Sequence, residues 1–220
     1  PHDWPVQGTT GYEFLNGLED VFIHPSGYRS IEETYRATRR LGKTTFRDIA
    51  HAGKAAALES ALRPDVDRVA KLGLVIATRA GKNWNETQLA ASIEAFVVAL
   101  PVYRTYADGR GAIGDSDRRI VDQAESEARR HAEPEVVSFI ASLVRGDAAS
   151  DPQRAQFVSR LQQLSGPAAA KGVEDTALYR YVPLLSRNEV GGAPDARRRS
   201  LRGHLDAGAL RLACRHRVAR

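Results

Sequence analysis

The amino-acid sequence predicts a mostly α-helical chain with few short strands. Apolar residues between positions 31 and 165 recur every three or four residues, a spacing that places them along one face of a helix. Strand-like patterns are sparse, and residues 101–106 and 179–185 are the best candidates for strands. No apolar run approaches the roughly 18 residues that a membrane-spanning helix needs, so we expect no membrane partner.

The N-terminal part of the chain predicts loops followed by two amphipathic helices. Residues 1–30 are rich in glycine and proline and predict loops with one short helix over 12–18. Apolar residues from 49 to 62 share one helical face, and those from 66 to 76 share another. Pro64 fits the first turn of the second helix, which places Arg63 just outside it.

Capping residues and prolines predict the later helices. Asn85 is a preferred N-cap for a helix over 86–100, which Pro101 ends. Three more helices are predicted: from Asp115 or Ser116 to His131, from Glu133-Pro134 to Val144, and from Asp151-Pro152 to Leu164.

Positive charge is concentrated at the end of the chain. The net charge is +5, yet residues 197–220 hold eight arginines and one acid, so the other residues carry 24 basic and 26 acidic side chains. A charge-balanced body lacks the basic surface that binds nucleic acid, and we do not expect a nucleic acid partner for it. The tail leaves one alternative open: a helical interaction module whose basic tail binds nucleic acid or another polyanion.

The sequence contains none of the patterns that hold a metal or a cofactor. Its one cysteine, Cys214, excludes an internal disulfide and a cysteine-built zinc site. It has no phosphate-binding loop, dinucleotide-binding glycine pattern or nucleophile elbow. We therefore expect no metal and no cofactor. The first residues do not form a signal peptide, so a cytoplasmic location is expected, and the oligomeric state is left open.

Three segments are more specific than secondary structure requires. They are Trp4-Pro5-Val6-Gln7-Gly8-Thr9-Thr10-Gly11-Tyr12, then Leu100-Pro101-Val102-Tyr103-Arg104-Thr105-Tyr106, then Gly166-Pro167-Ala168-Ala169-Ala170-Lys171-Gly172-Val173-Glu174-Asp175-Thr176-Ala177-Leu178-Tyr179-Arg180-Tyr181, continuing to Asn188-Glu189-Val190-Gly191-Gly192. Together, and in this order, they resemble the maltooligosyltrehalose synthase family over residues 1 to about 195.

The resemblance implies an α/β fold and a carbohydrate-active enzyme. Members of this family, within the α-amylase superfamily, are (β/α)₈ barrels with a helical insertion. They convert the reducing-end α-1,4 linkage of a maltooligosaccharide, the substrate, into an α,α-1,1 linkage, as part of trehalose biosynthesis. The family's three catalytic carboxylates lie beyond the matched motifs. The resemblance thus implies an internal fragment without catalytic residues that is inactive alone.

The resemblance also implies a division of the chain into four segments. Residues 1–30 would be a barrel-derived loop segment, 31–165 the helical insertion subdomain, and 166–195 a barrel-derived segment of the substrate cleft. The Arg-rich tail, 196–220, departs from the family pattern. Because shifted reading of GC-rich DNA yields Arg, Ala, Gly and Leu, we interpret this tail as frameshifted or unrelated.

Candidate substrate-binding residues combine charged and aromatic side chains. Carboxylate, Arg and Lys groups hydrogen-bond to sugar hydroxyls, while aromatic rings cover the apolar faces of a pyranose. With the resemblance, this predicts a set of eight residues: Lys171, Glu174, Asp175, Tyr179, Arg180, Tyr181, Tyr12 and Arg104.

Five of these residues also have a purely structural interpretation. Glu174 or Asp175 fits an N-cap and a surface ion pair with Arg180, Tyr12 fits a compact packed loop, and Arg104 fits an amphipathic edge with a local partner. Adjacent side chains usually point in different directions, so Glu174 and Asp175 are poorly placed to act as the paired acid and nucleophile of a glycosidase.

Overall fold

The structure, a computed structural model, describes residues 12–147, 151–192 and 194, and these form helices and connecting turns without a strand. The mostly helical prediction is therefore confirmed. The helices are α1 (Tyr12–Phe22), α2 (Pro25–Thr38), α3 (Phe46–Glu59), α4 (Arg63–Arg79), α5 (Glu86–Ala99), α6 (Asp115–Ala128), α7 (Pro134–Arg145), α8 (Arg154–Ala169), a π-helix (Ala170–Ala177), α9 (Leu178–Arg180) and a 3₁₀ turn (Leu185–Arg187).

The chain divides into two compact units. Unit 1 comprises Pro1–Ile49 and Leu178–Arg220, and unit 2 comprises Ala50–Ala177. The described part of unit 1 contains α1, α2, α9 and the 3₁₀ turn, whereas α4 to α8 and the π-helix belong to unit 2.

Helix α5 is the centre of unit 2. It packs against α4, α6, α7 and α8, and its side chains Leu89, Ile93, Phe96 and Val97 are almost completely buried. A helix with so wide an apolar face is stable in water only when other helices cover it. Burial of such side chains, each contributing about 1.5–3 kcal/mol, is the main force that holds unit 2 together.

Several predicted helix ends are confirmed. Asn85 caps α5 by accepting a hydrogen bond from the Gln88 N–H at 2.9 Å, and the Gln88 side chain accepts one in return from the Asn85 N–H. This reciprocal capping box satisfies two backbone donors that a helix start otherwise leaves unpaired. Pro134 occupies the first turn of α7, where a missing N–H costs nothing.

Other predicted ends were wrong by one to five residues. Arg63 is the first residue of α4, with Leu62 at the N-cap position, because the bias that proline imposes on its predecessor is weaker than the helical packing. Helix α6 is capped by Gly114 and ends at Ala128, three residues before His131. Helix α8 begins at Arg154 and continues to Ala169, past the predicted end at Leu164.

The first predicted strand, over 101–106, was wrong. This segment is an irregular coil after α5. Pro101 has no N–H to offer a neighbouring strand, and the N–H of Tyr106 donates instead to the carboxylate of Asp117 at 3.0 Å. The side chain of Asp117 thus pairs with a backbone N–H that a sheet would use.

The second predicted strand, over 179–185, was also wrong. Leu178–Arg180 form a turn of α-helix. The N–H of Val182 donates to the hydroxyl of Tyr35 at 3.0 Å, and the carbonyl of Tyr181 accepts a hydrogen bond from the Asn188 side chain at 2.6 Å. All these groups lie in unit 1, and each is paired outside a strand ladder.

Candidate functional site

Two of the sequence motifs meet at the surface of unit 2. The coil that follows α5 carries Tyr103 and Arg104, and the π-helix carries Lys171, Glu174 and Asp175. The hydroxyl of Tyr103 donates a hydrogen bond to the carboxylate of Glu174, across 71 positions of sequence. We call these five residues the unit 2 cluster.

The π-helix gives the charged residues of the unit 2 cluster their spacing. Pro167 lies inside α8 and has no N–H to complete that helix's hydrogen bonds. The chain then widens into the π-helix, where the hydroxyl of Thr176 donates to the carbonyl of Lys171, five residues earlier, at 2.7 Å. π-helical turns occur frequently at functional sites.

The polar groups of the unit 2 cluster are accessible. The ammonium nitrogen of Lys171 lies 3.6 Å from a carboxylate oxygen of Asp175, and both side chains are more than half exposed. Tyr103 is 44% exposed. Because an exposed ion pair is worth about 1 kcal/mol or less, a polar ligand can replace this contact at little cost.

The guanidinium of Arg104 stacks on a ring of its own segment. Its central carbon lies 4.7 Å from the centroid of the Tyr106 ring. Thr105, between them, is buried. Tyr103 and Arg104 are exposed, while the buried Thr105 anchors the coil. A stacked guanidinium keeps its N–H donors for other partners.

Four of the eight predicted residues belong to unit 1, and one of these, Tyr181, lies in its interior. The ring of Tyr181 is fully buried, with the rings of Tyr35 and Phe46 at 5.5 and 5.9 Å. Its hydroxyl donates to Glu32 at 2.5 Å. Burial, followed by the hydrogen bond to Glu32, raises the pKa of Tyr181 to about 12. Arg180, by contrast, is exposed, and its backbone carbonyl accepts a hydrogen bond from the hydroxyl of Tyr35 at 3.1 Å.

The other two predicted residues of unit 1 are Tyr179 and Tyr12. Tyr179 is 80% exposed, so its ring is available to a ligand. Tyr12 is the first residue of α1, and its side chain lies outside the described residues. The first motif, from Trp4 to Gly11, also lies outside them. That the eight residues form a single site thus stays a prediction.

Sequence reasoning did not include Tyr103 in the predicted set. The available signal was its place beside Arg104 in the second motif, with a ring that can cover a sugar face. A contact between residues 71 positions apart has no local signature.

Unit 1 also contains an open hollow of about 690 Å³. Its lining includes the cations Arg29, Arg36 and Lys43 and the carboxylates Glu32 and Glu33. Arg36 is used within the unit, since it donates to the carbonyls of the loop that follows α2. The lining thus carries charges of both signs in nearly equal number.

The described residues include neither a group of side chains suited to a metal ion nor a membrane-spanning helix. Among residues 12–147, 151–192 and 194, no three His, Cys, Asp or Glu side chains are grouped so that they could bind a metal ion. Over the same ranges, each helix is too short or too polar to cross a lipid bilayer.

Comparison with known proteins supports the resemblance carried by the motifs. The chain is 28% identical, over 190 residues, to proteins from two strains of Mycobacterium tuberculosis that are provisionally named maltooligosyl trehalose synthase. The predicted resemblance to this family is confirmed. The aligned region covers 86% of this chain and 22% of each relative, so the chain spans about a fifth of their length.

The other two comparisons found no match. No protein-family model matches the chain, and no solved structure is significantly similar to it. The (β/α)₈ barrel of the family fold therefore stays a prediction.

Proposed function

We propose that this chain is a substrate-contacting part of an enzyme that forms maltooligosyltrehalose. The reaction would convert the reducing-end α-1,4 linkage of a maltooligosaccharide into an α,α-1,1 linkage. The observation that carries the proposal is the contact between Tyr103 and Glu174, which joins two motifs of the family resemblance in one exposed cluster. The similarity to the Mycobacterium tuberculosis proteins supports the same assignment.

The chemistry of the unit 2 cluster suits a neutral sugar. Lys171 and Arg104 donate hydrogen bonds, Glu174 and Asp175 accept them, and a glucosyl unit presents hydroxyls that do both. The ring of Tyr103 offers an apolar face beside them. Two cations and two carboxylates leave the cluster without net charge, which suits a neutral ligand.

The chain would hold the sugar while other residues break and form the bonds. In the family's retaining mechanism a carboxylate attacks the anomeric carbon, and a general acid protonates the departing glucose. This glucose turns in place, and its own anomeric hydroxyl then resolves the covalent intermediate. The proposed task of the unit 2 cluster is to retain the released glucose and to exclude water.

The proposal includes the absence of activity from the 220 residues alone. The three catalytic carboxylates of the family have no counterpart in the motifs of this chain. We propose that residues 31–165 act as the helical insertion and that residues 166–195 belong to the substrate cleft. Incubation with maltopentaose should yield no non-reducing product, measured as unchanged reducing-end content.

Binding of maltopentaose tests the proposal directly. We expect saturation-transfer NMR on the 220-residue chain to detect binding with a Kd of roughly 1 mM, a binding free energy of about −4 kcal/mol. Asp175→Ala removes a charged acceptor and should weaken binding about tenfold. Tyr103→Ala should have a similar effect because it removes the ring.

A matched variant separates loss of the site from loss of a charge. Glu135 is an exposed carboxylate on α7 in the same unit, so Glu135→Ala should leave the Kd unchanged. No saturation transfer at 10 mM maltopentaose, or equal binding by the Asp175→Ala, Tyr103→Ala and unaltered chains, would overturn the proposed function.

A further inference from the structure

A buried lysine completes the C-terminus of α5. Pro101 ends this helix, so the last carbonyls have no following N–H in helical position. The ammonium of Lys54, on α3, donates to the carbonyl of Leu100 at 2.7 Å and to that of Val98 at 3.2 Å. Lys54 is only 6% exposed. Its charge also complements the negative end of the α5 dipole.

The same turn of α3 packs against the π-helix. A Cβ added to Gly172 would lie 2.5 Å from the backbone nitrogen of Lys54 and 2.6 Å from its Cγ. A Cβ added to Gly53 would lie 2.5 Å from the carbonyl oxygen of Gly172. These distances are too short for any side chain, so the two backbones touch directly, as only paired glycines permit.

Lys54 therefore contacts both segments that form the unit 2 cluster. Leu100, whose carbonyl it binds, lies three positions before Tyr103. On the other segment, its backbone touches Gly172, two residues before Glu174. Holding both segments on one rigid helix fixes the separation of the tyrosine hydroxyl and the carboxylate.

We propose that Lys54 is a positioning residue that sets Tyr103 against Glu174. The importance of this contact for sugar binding rests on the proposed function, but the geometric effect does not. Lys54 itself touches no ligand in this proposal. It acts by fixing the end of α5 relative to the π-helix.

A double-mutant cycle measures this effect without any sugar. Tyr103→Phe and Glu174→Gln, singly and together, give the coupling between the two side chains from urea unfolding. In the unaltered chain we expect a coupling of about fivefold in the unfolding equilibrium constant, as for one hydrogen bond. In a Lys54→Met background the coupling should fall to less than about twofold, because the end of α5 loses its anchor.

Arg154 supplies a matched control. It is also 6% exposed in unit 2, and its guanidinium likewise donates to a carbonyl near a helix end, that of Leu143 in α7, at 2.7 Å. Arg154→Met should destabilise the unit to a similar degree and leave the coupling about fivefold. If Lys54→Met does not fold, Lys54→Gln replaces it, since its amide nitrogen ends one bond short of the ammonium position.

The outcomes separate this proposal from the proposed function. A coupling that persists in the Lys54 variant, that is absent in the unaltered chain, or that is lost equally in Arg154→Met would overturn the positioning role. Coupling lost only in the Lys54 variant supports that role, even where maltopentaose binds to none of the chains and the proposed function fails. Where maltopentaose binds, Lys54→Met should weaken it about as much as Glu174→Ala.

Discussion

The contact between Gly53 and Gly172 makes the π-helix sensitive to a single methyl group. Gly172→Ala would place a Cβ 2.5 Å from the backbone nitrogen of Lys54 and 2.7 Å from its Cα. Backbone atoms of a buried helix cannot rotate away as the end of a long side chain can. The π-helix must therefore shift away from α3 or distort.

The expected cost follows from two opposing effects. Overpacking by one methyl group costs about 1–3 kcal/mol. Because the added methyl group would meet the backbone of Lys54, which cannot rotate away, we expect a cost at the upper end of that range. Replacing glycine by alanine within a helix gains up to about 1 kcal/mol. The net loss in the free energy of unfolding is then about 2 kcal/mol. In a chain of this size it lowers the melting temperature by about 4–8 °C.

Urea and thermal unfolding, followed by circular dichroism, check this value. Gly27→Ala is the matched control, because Gly27 lies in α2 and the nearest atom to an added Cβ is 3.9 Å away, at His24. The control should be unchanged or up to about 1 kcal/mol more stable. A Gly172→Ala chain as stable as the Gly27→Ala chain would refute the direct backbone contact.

Two further predictions concern pH. Tyr181→Phe should lose about 1–2 kcal/mol of unfolding free energy at pH 8. The pKa of Tyr181 in the folded chain, about 12, lies above the ordinary value near 10, so its contribution to stability is complete below pH 10 and is lost as pH rises through 12. Urea unfolding measured from pH 8 to 12 should therefore show the stabilities of the two chains converging. A constant difference contradicts the hydrogen bond to Glu32. Hydrogen bonding by Arg118 and Arg145 lowers the pKa of Asp147. The contribution of Asp147 to stability, under about 1 kcal/mol for exposed ion pairs, is therefore present above its ordinary pKa and lost as pH falls through the lowered value. The free energies of unfolding of Asp147→Asn and the unaltered chain should differ at pH 7 and coincide near pH 2. A difference that grows on acidification contradicts this.

Helix starts were predictable where a local rule governs them. Asn85 and Pro134 act within their own first turn, and both predictions were confirmed. The strand predicted over 101–106 was wrong because the local pattern does not reveal which distant side chains pair with the backbone of this segment. Asp117, which receives the Tyr106 N–H, belongs to a later helix.

The arrangement of the candidate site could be predicted only in part. The motifs identified Lys171, Glu174 and Asp175, but nothing local indicates a π-helix after Pro167, since a Gly-Pro pair ordinarily predicts a helix end. The role of Lys54 was equally hidden. A lysine in a helical pattern is expected at the surface, and its burial depends on the carbonyls at the end of α5.

The central claim is that the motif residues of unit 2 bind a glucan, and amide NMR of the ¹⁵N-labelled chain during a maltopentaose titration tests it most directly. We expect saturable shift changes at residues 171–175 and 103–104, with none at exposed positions of α6 and α7. Changes confined to other surfaces, or no changes up to 10 mM maltopentaose, would contradict it.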